Sequence, residues 1–355
     1  MPAVSVDTFF ACSLMVMLVL SAMAITTKLV FPSMNVTNSQ NLAERYRETS
    51  RYLLLNTGKP PNWGQNSQTN PETFGLARPN ADSEYDLDRD KVSRMNTENA
   101  YAISYLDMFV SLEMPDLSFR IKIEPLFKVS TKLAGAFISG NGTIYEFEIS
   151  TDKHGAPISA QLKIYVVAGE YLNSMPVLVT SGKISQNITI PNSVAGPALL
   201  IILARSSYND KIVSFDALAF AHNSSQPNTE GTLLRLSPLN FNLNVSLLDS
   251  KAVLAEAHAL TFGYNSTLSL TSNTTMSATY AIPHFLDTST TVLVVTGSNS
   301  TTFFTEWTTY PQIPAENGAN LANSNTLSSI FSFTYAITID SAIYECTIWV
   351  GGLKE

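Results

Sequence analysis

Residues Thr8 to Thr27 read TFFACSLMVMLVLSAMAITT, an apolar run without a single charge, bounded by Asp7 in front and Lys28 behind. Its length of about 20 residues is what a helix needs to cross the hydrocarbon core of a bilayer. The run therefore predicts a transmembrane helix with the remainder of the chain displayed on one side. Three readings of it stand side by side: a retained anchor, a cleaved signal peptide, and an assembly helix. Ala22-Met23-Ala24 offers the small-x-small pattern of a cleavage site, whereas Met1 to Asp7 carries no basic residue of the kind signal peptides open on.

A second helical pattern follows Phe31-Pro32. Ser39 is placed to cap it, and Leu42, Tyr46, Thr49 and Leu53 recur at helical spacing, with Arg45, Arg47 and Arg51 mostly on the other side. Gly58 and Pro60-Pro61 end it. Residues Asp82 to Glu113 predict two further helices, the second capped by Asn96 or Thr97 ahead of Tyr101, Tyr105, Met108 and Leu112.

From Leu117 the period changes to two. Phe119, Ile121 and Ile123 alternate with charged residues, Gly140-Asn141-Gly142 is a hairpin signal, and Tyr145, Phe147 and Ile149 form the apolar side of a half-buried strand. Ala198 to Leu203 is continuously apolar, as a strand covered on both faces requires. Asn223 to Gly231 is polar and turn-rich, a linker, and beyond it Leu239, Phe241, Leu243 and Val245 alternate. Thr291 to Val295 reads as a buried strand, Phe331 to Ile339 alternates, and Tyr344 to Val350 closes the chain. Asn317 to Asn325 has no periodicity and predicts an exposed loop.

The expected fold class is α+β: a long N-terminal transmembrane and amphipathic helix, then two mainly antiparallel β-sandwich domains. The boundaries read as 1–34 for the transmembrane helix, 35–116 for a helical region, 117–222 for the first sandwich, 223–231 for the linker and 232–355 for the second β-rich domain.

Little here speaks for chemistry. Charged residues are 14% of the 355, and the net charge of −8 comes with no basic stripe, so nucleic acid is not an expected partner. The cysteines, Cys12 and Cys346, lie at opposite ends and give no disulfide framework. His154, His222, His258 and His284 are scattered and form no HxxxH or HExxH pair, so no metal or cofactor is expected. Asp86, Asp88 and Asp90 have calcium-loop spacing, but Lys91 and Thr97 stand where such a loop needs glycine and glutamate. No GxSxG elbow occurs, and Ser181-Gly182-Lys183 lacks the upstream glycine of a phosphate loop. A non-enzymatic protein is expected.

Eight N-x-S/T sequons, at Asn35, Asn141, Asn187, Asn223, Asn244, Asn265, Asn273 and Asn299, all follow the apolar run, against about six expected by chance in so Asn-, Ser- and Thr-rich a chain. They are glycosylation candidates if the C-terminal portion is exported. Thr305-Glu306-Trp307-Thr308-Thr309-Tyr310-Pro311 is the densest aromatic cluster, reading either as sandwich core or as a contact surface.

An apolar helix with an early acid, a proline, then an amphipathic half resembles a type IV pilin or its archaeal pilin-like relatives. The segments YLLLNTGKPPNWG (52–64), FGLA (74–77) and LDRDKV (87–92) are similar to the stretch that follows that helix in archaeal pilin-like membrane proteins. The likeness covers residues 1 to about 115. The chain differs in having Asp7 where the family has glutamate and in carrying no basic residue before Val4. The resemblance implies a single-pass membrane protein with its C-terminal portion at the cell surface, assembling with itself or with other pilin-like subunits through its helix. Asp7 would then pair with a neighbour's positive group, and Phe9, Phe10, Leu14 and Leu18 would pack against neighbouring helices. Lys28 and the three arginines beyond the run would favour the cytoplasm by charge alone, though a large domain translocates regardless. Asp152, Gly155, Pro157, Ala160 and Leu162 resemble the opening of immunoglobulin-like repeats of prokaryotic surface proteins, over about residues 143–222, which implies an extracellular ligand of unspecified kind.

Overall fold

The computed structural model describes residues 15–21, 23, 41–81, 83–227, 230–300, 302–321 and 327–353. By packing the chain divides into two compact units, Met1–Arg51 and Tyr52–Glu355. In the first, residues 15–21 are helical, and a helix begun at residue 41 carries exposed Glu44–Arg47 and Glu48–Arg51 pairs. The helical residues there and following are 41–55, α1. Gly58 ends the following turn at a φ of +73°, and a Cβ there would stand 2.5 Å from the Thr73 carbonyl oxygen, so only glycine fits.

The expected α+β class is corrected by the structure. Among the described residues strands make up 52% and helix 13%, the sheets are antiparallel, and no helix is long and apolar enough to cross a membrane. Most of the Thr8–Thr27 run lies outside the described residues. The helices read from Asp82 to Glu113 exist but are short, α2 (Arg89–Met95) and α3 (Tyr105–Leu112). The cap of α3 is Ser104, whose Oγ accepts the Asp107 N–H at 3.1 Å. Asn96 instead ends α2, its own N–H donating to the Ser93 carbonyl. Both helices flank a sheet of β19 (Ala315–Gly318), β1 (Leu117–Pro125), β21 (Ala342–Leu353) and β20 (Leu327–Ile339), in that order. Trp63, Phe74 and Phe119 pack ring on ring between them at 5.8 and 6.2 Å.

In the first sandwich, β2 (Lys128–Ser139), β3 (Gly142–Lys153), β4 (Ala156–Pro157) and β8 (Lys183–Pro191) form one sheet. The other is β10 (Val213–Phe220), β9 (Ala198–Ser206), β5 (Ala160–Ala168) and β6 (Tyr171–Ser174), with β7 (Leu178–Thr180) also on β5. Tyr145, Phe147 and Ile149 meet Leu162, Ile164, Leu200 and Ile202 in the core between them. In the second sandwich, β11 (Leu234–Leu239), β12 (Asn242–Leu247), β16 (Ser277–Ala281) and β15 (Ser269–Asn273) face β14 (Asn265–Thr267), β13 (Ala252–Leu260), β17 (Thr291–Asn299) and β18 (Thr302–Tyr310). The alternation read across Leu239 to Val245 runs through a hairpin. Asn240 and Phe241, at φ of 46° and 56°, form the two-residue turn between β11 and β12.

The two sandwiches stack on each other. Leu200 and Ile202 of β9 point into the first core, while Leu199, Ile201 and Leu203 point the opposite way, onto Leu260, Phe262, Val292 and Val294. Side chains alternate along a strand, so a continuous apolar run means apolar surroundings on both sides. The order in the two sandwiches is thus four β-layers with an apolar core at each of the three junctions. At this junction the Tyr165 hydroxyl donates to the Thr261 carbonyl at 2.8 Å, and Arg205 pairs with Asp287.

Candidate functional site

The residues of α2 and its cap reach several parts of the molecule that lie far apart in sequence. Asp88 caps the helix by accepting the N–H groups of Asp90 and Lys91. Asp86 pairs with Arg78 at 2.6 Å. Asp90 accepts the Tyr310 hydroxyl at 2.7 Å and the Asn240 N–H at 2.8 Å. The three acids with calcium-loop spacing therefore diverge to three sets of protein partners. Burial pushes the Asp90 carboxyl up to about 6, against the lowering effect of those two donors.

Arg89 lies over the rings of Phe241 and Tyr310 at 4.6 and 4.8 Å and pairs with Asp340 in the β20–β21 turn. The Lys91 ammonium is fully buried and donates to the carbonyls of Thr57 and Ala77 at 2.8 and 2.7 Å, its pKa lowered by burial to about 8. Arg94 sends Nη1 to the carbonyls of Trp63, Asn66 and Thr69 and Nε to that of Tyr101. Buried ions persist only when hydrogen-bonded in this way. The role of α2 is to hold the fold together, and it carries no reactive arrangement.

The cluster at Thr305–Pro311 is buried on both faces of β18 except at Trp307. Glu306 and Tyr310 are buried, while Trp307 is half-buried at the rim of the junction, edge-on to Phe215 at 6.2 Å. The Glu306 carboxylate accepts the N–H groups of Gly231, Leu233 and Leu234 at 2.8–3.2 Å, which anchors the end of the linker to β18. Burial nevertheless holds it above the ordinary carboxylate range.

Three neighbouring clefts share the Trp307 side chain. One, of about 450 Å³, is lined by Glu98, Glu230, Arg235, Glu306 and Gln312; a second, of about 520 Å³, by Asn96, Glu98, Lys122, Glu124 and Glu316. A third, of about 610 Å³, is lined by Phe127, Lys128, His154, Phe215 and Asp216. Glu124 is neutralised by Lys122 and Glu316 by Arg120. Much of Glu230 is exposed, yet its seat in the cleft and the like charges of Glu98 and Glu306 push its carboxyl up to about 7. An aromatic face with hydrogen-bonding groups around it is the kind of concavity that takes small polar ligands.

Of the predicted assembly residues, Asp7, Phe9, Phe10 and Leu14 lie outside the described residues, and Leu18 is exposed on the helical stretch 15–21. Among the sequons, Asn35 is outside them as well. Asn141 is exposed at the β2–β3 turn, and Asn187, Asn223, Asn265 and Asn273 are exposed too. The amide nitrogen that would carry a glycan is engaged in three cases. Asn223 Nδ2 donates to the carbonyls of Asn192 and Val194, Asn299 Nδ2 to Asp249, and half-buried Asn244 Nδ2 to Ser237 at 3.5 Å. Asn317, read as part of an exposed loop, is buried and donates to the Met95 and Ile103 carbonyls.

No metal-holding group of three or more ligand side chains occurs among the described residues. Comparison with protein-family models gives no match, and comparison with curated proteins gives none either. Sequence reasoning missed the buried contacts of α2. Their one visible signal was the density of charge in LDRDKVSR (87–94), which on a helix of seven residues cannot all face water.

Proposed function

We propose that the protein is a structural and adhesive surface subunit, membrane-anchored through Thr8–Thr27, with its β-layers displayed outside the cell. The observation that carries this reading is the apolar junction of Tyr165, Val167, Leu199, Ile201 and Leu203 with Leu260, Phe262, Val292 and Val294. Sandwiches joined by a short linker normally move against each other, and a large apolar contact suppresses that motion. A fused stack transmits force and presents a surface at fixed geometry, which suits a scaffold. The pilin-like sequence of the N-terminal third supplies the assembly element, and the opening of the first sandwich fits an immunoglobulin-like repeat. Asp7 then pairs with a positive group of a neighbour, because a carboxylate buried among apolar helices is costly alone. Asp7→Ala tests this: loss of assembly with retained membrane insertion supports it, and unchanged assembly refutes it.

A second reading, a monomeric single-span binding protein, draws on the Trp307 clefts. A ligand seated there would quench or shift Trp307 fluorescence, and Trp307→Ala would abolish binding while leaving assembly intact.

A further inference from the structure

Among the described strands β2 ladders only with β3; its other edge meets β10 as far as Thr131, whose N–H donates to the Asp216 carboxylate, and is open beyond. Its first residues close the sandwich: Val129 is buried, and the Ser214 hydroxyl donates to the Phe127 carbonyl beside it. From Leu133 the strand overhangs. Leu133, Ala134, Ala136, Phe137, Ile138 and Ser139 are all exposed, Phe137 by 50% and Ile138 by 77%. Natural edges are blunted by charge, proline or a bulge; LAGAFIS (133–139) has no charge and no proline, and its one bulge, between Leu133 and Gly135, leaves Gly135 to Ser139 regular beyond it.

We propose that two copies of the chain pair through this edge, antiparallel, about a two-fold axis beside Ala136. The occupant is a second copy because the segment is complementary to itself in that register. Phe137 falls opposite Gly135 of the other copy and Ala136 opposite itself, and the bulge at Ala134 ends the regular pairing there. The bulkiest side chain of the segment, Phe137, thus meets a residue with no side chain. A Cβ built on Gly135 meets nothing within 4 Å, so the space the phenyl ring would cover is open. An aromatic ring laid across an edge glycine is a recognised stabilising pair. Moving the axis to Gly135 or to Phe137 takes the phenyl ring off Gly135. A contact of this kind is isologous and closes as a dimer. It goes beyond the proposed helix-mediated assembly and does not depend on it.

The test uses the full chain in detergent, with Cys12→Ser in the crosslinking set and Cys346, fully buried, left in place. Residues directly opposite on paired strands have Cβ atoms about 4.5–5.5 Å apart, so Ala136→Cys should form an intermolecular disulfide under mild oxidation. It should do so at least about tenfold faster than exposed Val253→Cys, which lies on β13. The protein with native β2 should sediment as a dimer, and Phe137→Lys, on an exposed position that leaves circular dichroism unchanged, should weaken that dimer about tenfold or more. In an Asp7→Ala background the dimer should persist even if higher assembly is lost. The proposal is overturned if the protein with native β2 is monomeric, if Ala136→Cys crosslinks no faster than Val253→Cys, if Phe137→Lys leaves the dimer intact, or if Asp7→Ala abolishes it.

Discussion

The Tyr310 hydroxyl donates to the Asp90 carboxylate at 2.7 Å across 220 residues of sequence, and the same carboxylate accepts the Asn240 N–H. One helical residue thus fixes the end of β18 and the β11–β12 turn at once. Burial holds the Asp90 carboxyl at about 6, above its ordinary 3.8. Between these values the native chain keeps a proton that the unfolded chain releases, so this group's contribution to stability is full below pH 4 and declines as pH rises to about 6. Subtracting the urea midpoints of Asp90→Asn from those of the native protein should give a difference that falls from pH 4 to 6 and is level above. A flat or rising difference would refute the assignment.

Lys91 behaves in the opposite sense. Its folded value of about 8 lies below 10.5, so the unfolded chain binds the extra proton and stability rises from pH 8 towards 10.5. Lys91→Met should remove that rise, as read by the same titration.

Arg94 serves four backbone carbonyls. Each buried acceptor left without a donor costs about 1–3 kcal/mol, so Arg94→Ala should cost about 4 kcal/mol or more in denaturant unfolding. Arg94→Lys should restore only part of it, because an ammonium has no planar fork to span the loop 63–69 and Tyr101 together.

Ile201 is fully buried between the sandwiches. Truncation to alanine should cost about 2–5 kcal/mol, and Ile201→Asp should uncouple the two sandwiches, splitting one calorimetric transition into two. A single, unshifted transition in Ile201→Asp would show that the stack is not a cooperative unit.

How far the sequence announced this fold depends on the range of the interaction. Period-two alternation marked β1, β3 and β12 because each has one wet face, and the unbroken run Ala198–Leu203 announced the double burial of β9. What covered that run, the face of β13 and β17, was illegible, since apolar surfaces carry no address. The pairing of β1 with β21, from Leu117↔Gly352 to Pro125↔Tyr344, is a contact over more than 200 residues that no local pattern encodes. The α2 acids showed only calcium-loop spacing without the glycine and glutamate such a loop needs. The burial of the α2 charges follows from partners at Thr57, Asn240 and Tyr310, which only the folded chain brings near. Trp307, read as core or contact surface, stands at the rim of the junction with one side in each environment.

The most direct test of the surface-subunit account is intact-mass and N-terminal analysis of the protein from native membranes and from sheared surface material. The account predicts that sheared material contains the chain, assembled, beginning at Val4, with glycan mass increments where exported sequons are occupied. Protein beginning at Met1 and confined to membranes, or beginning at Ile25 in the medium, would contradict it.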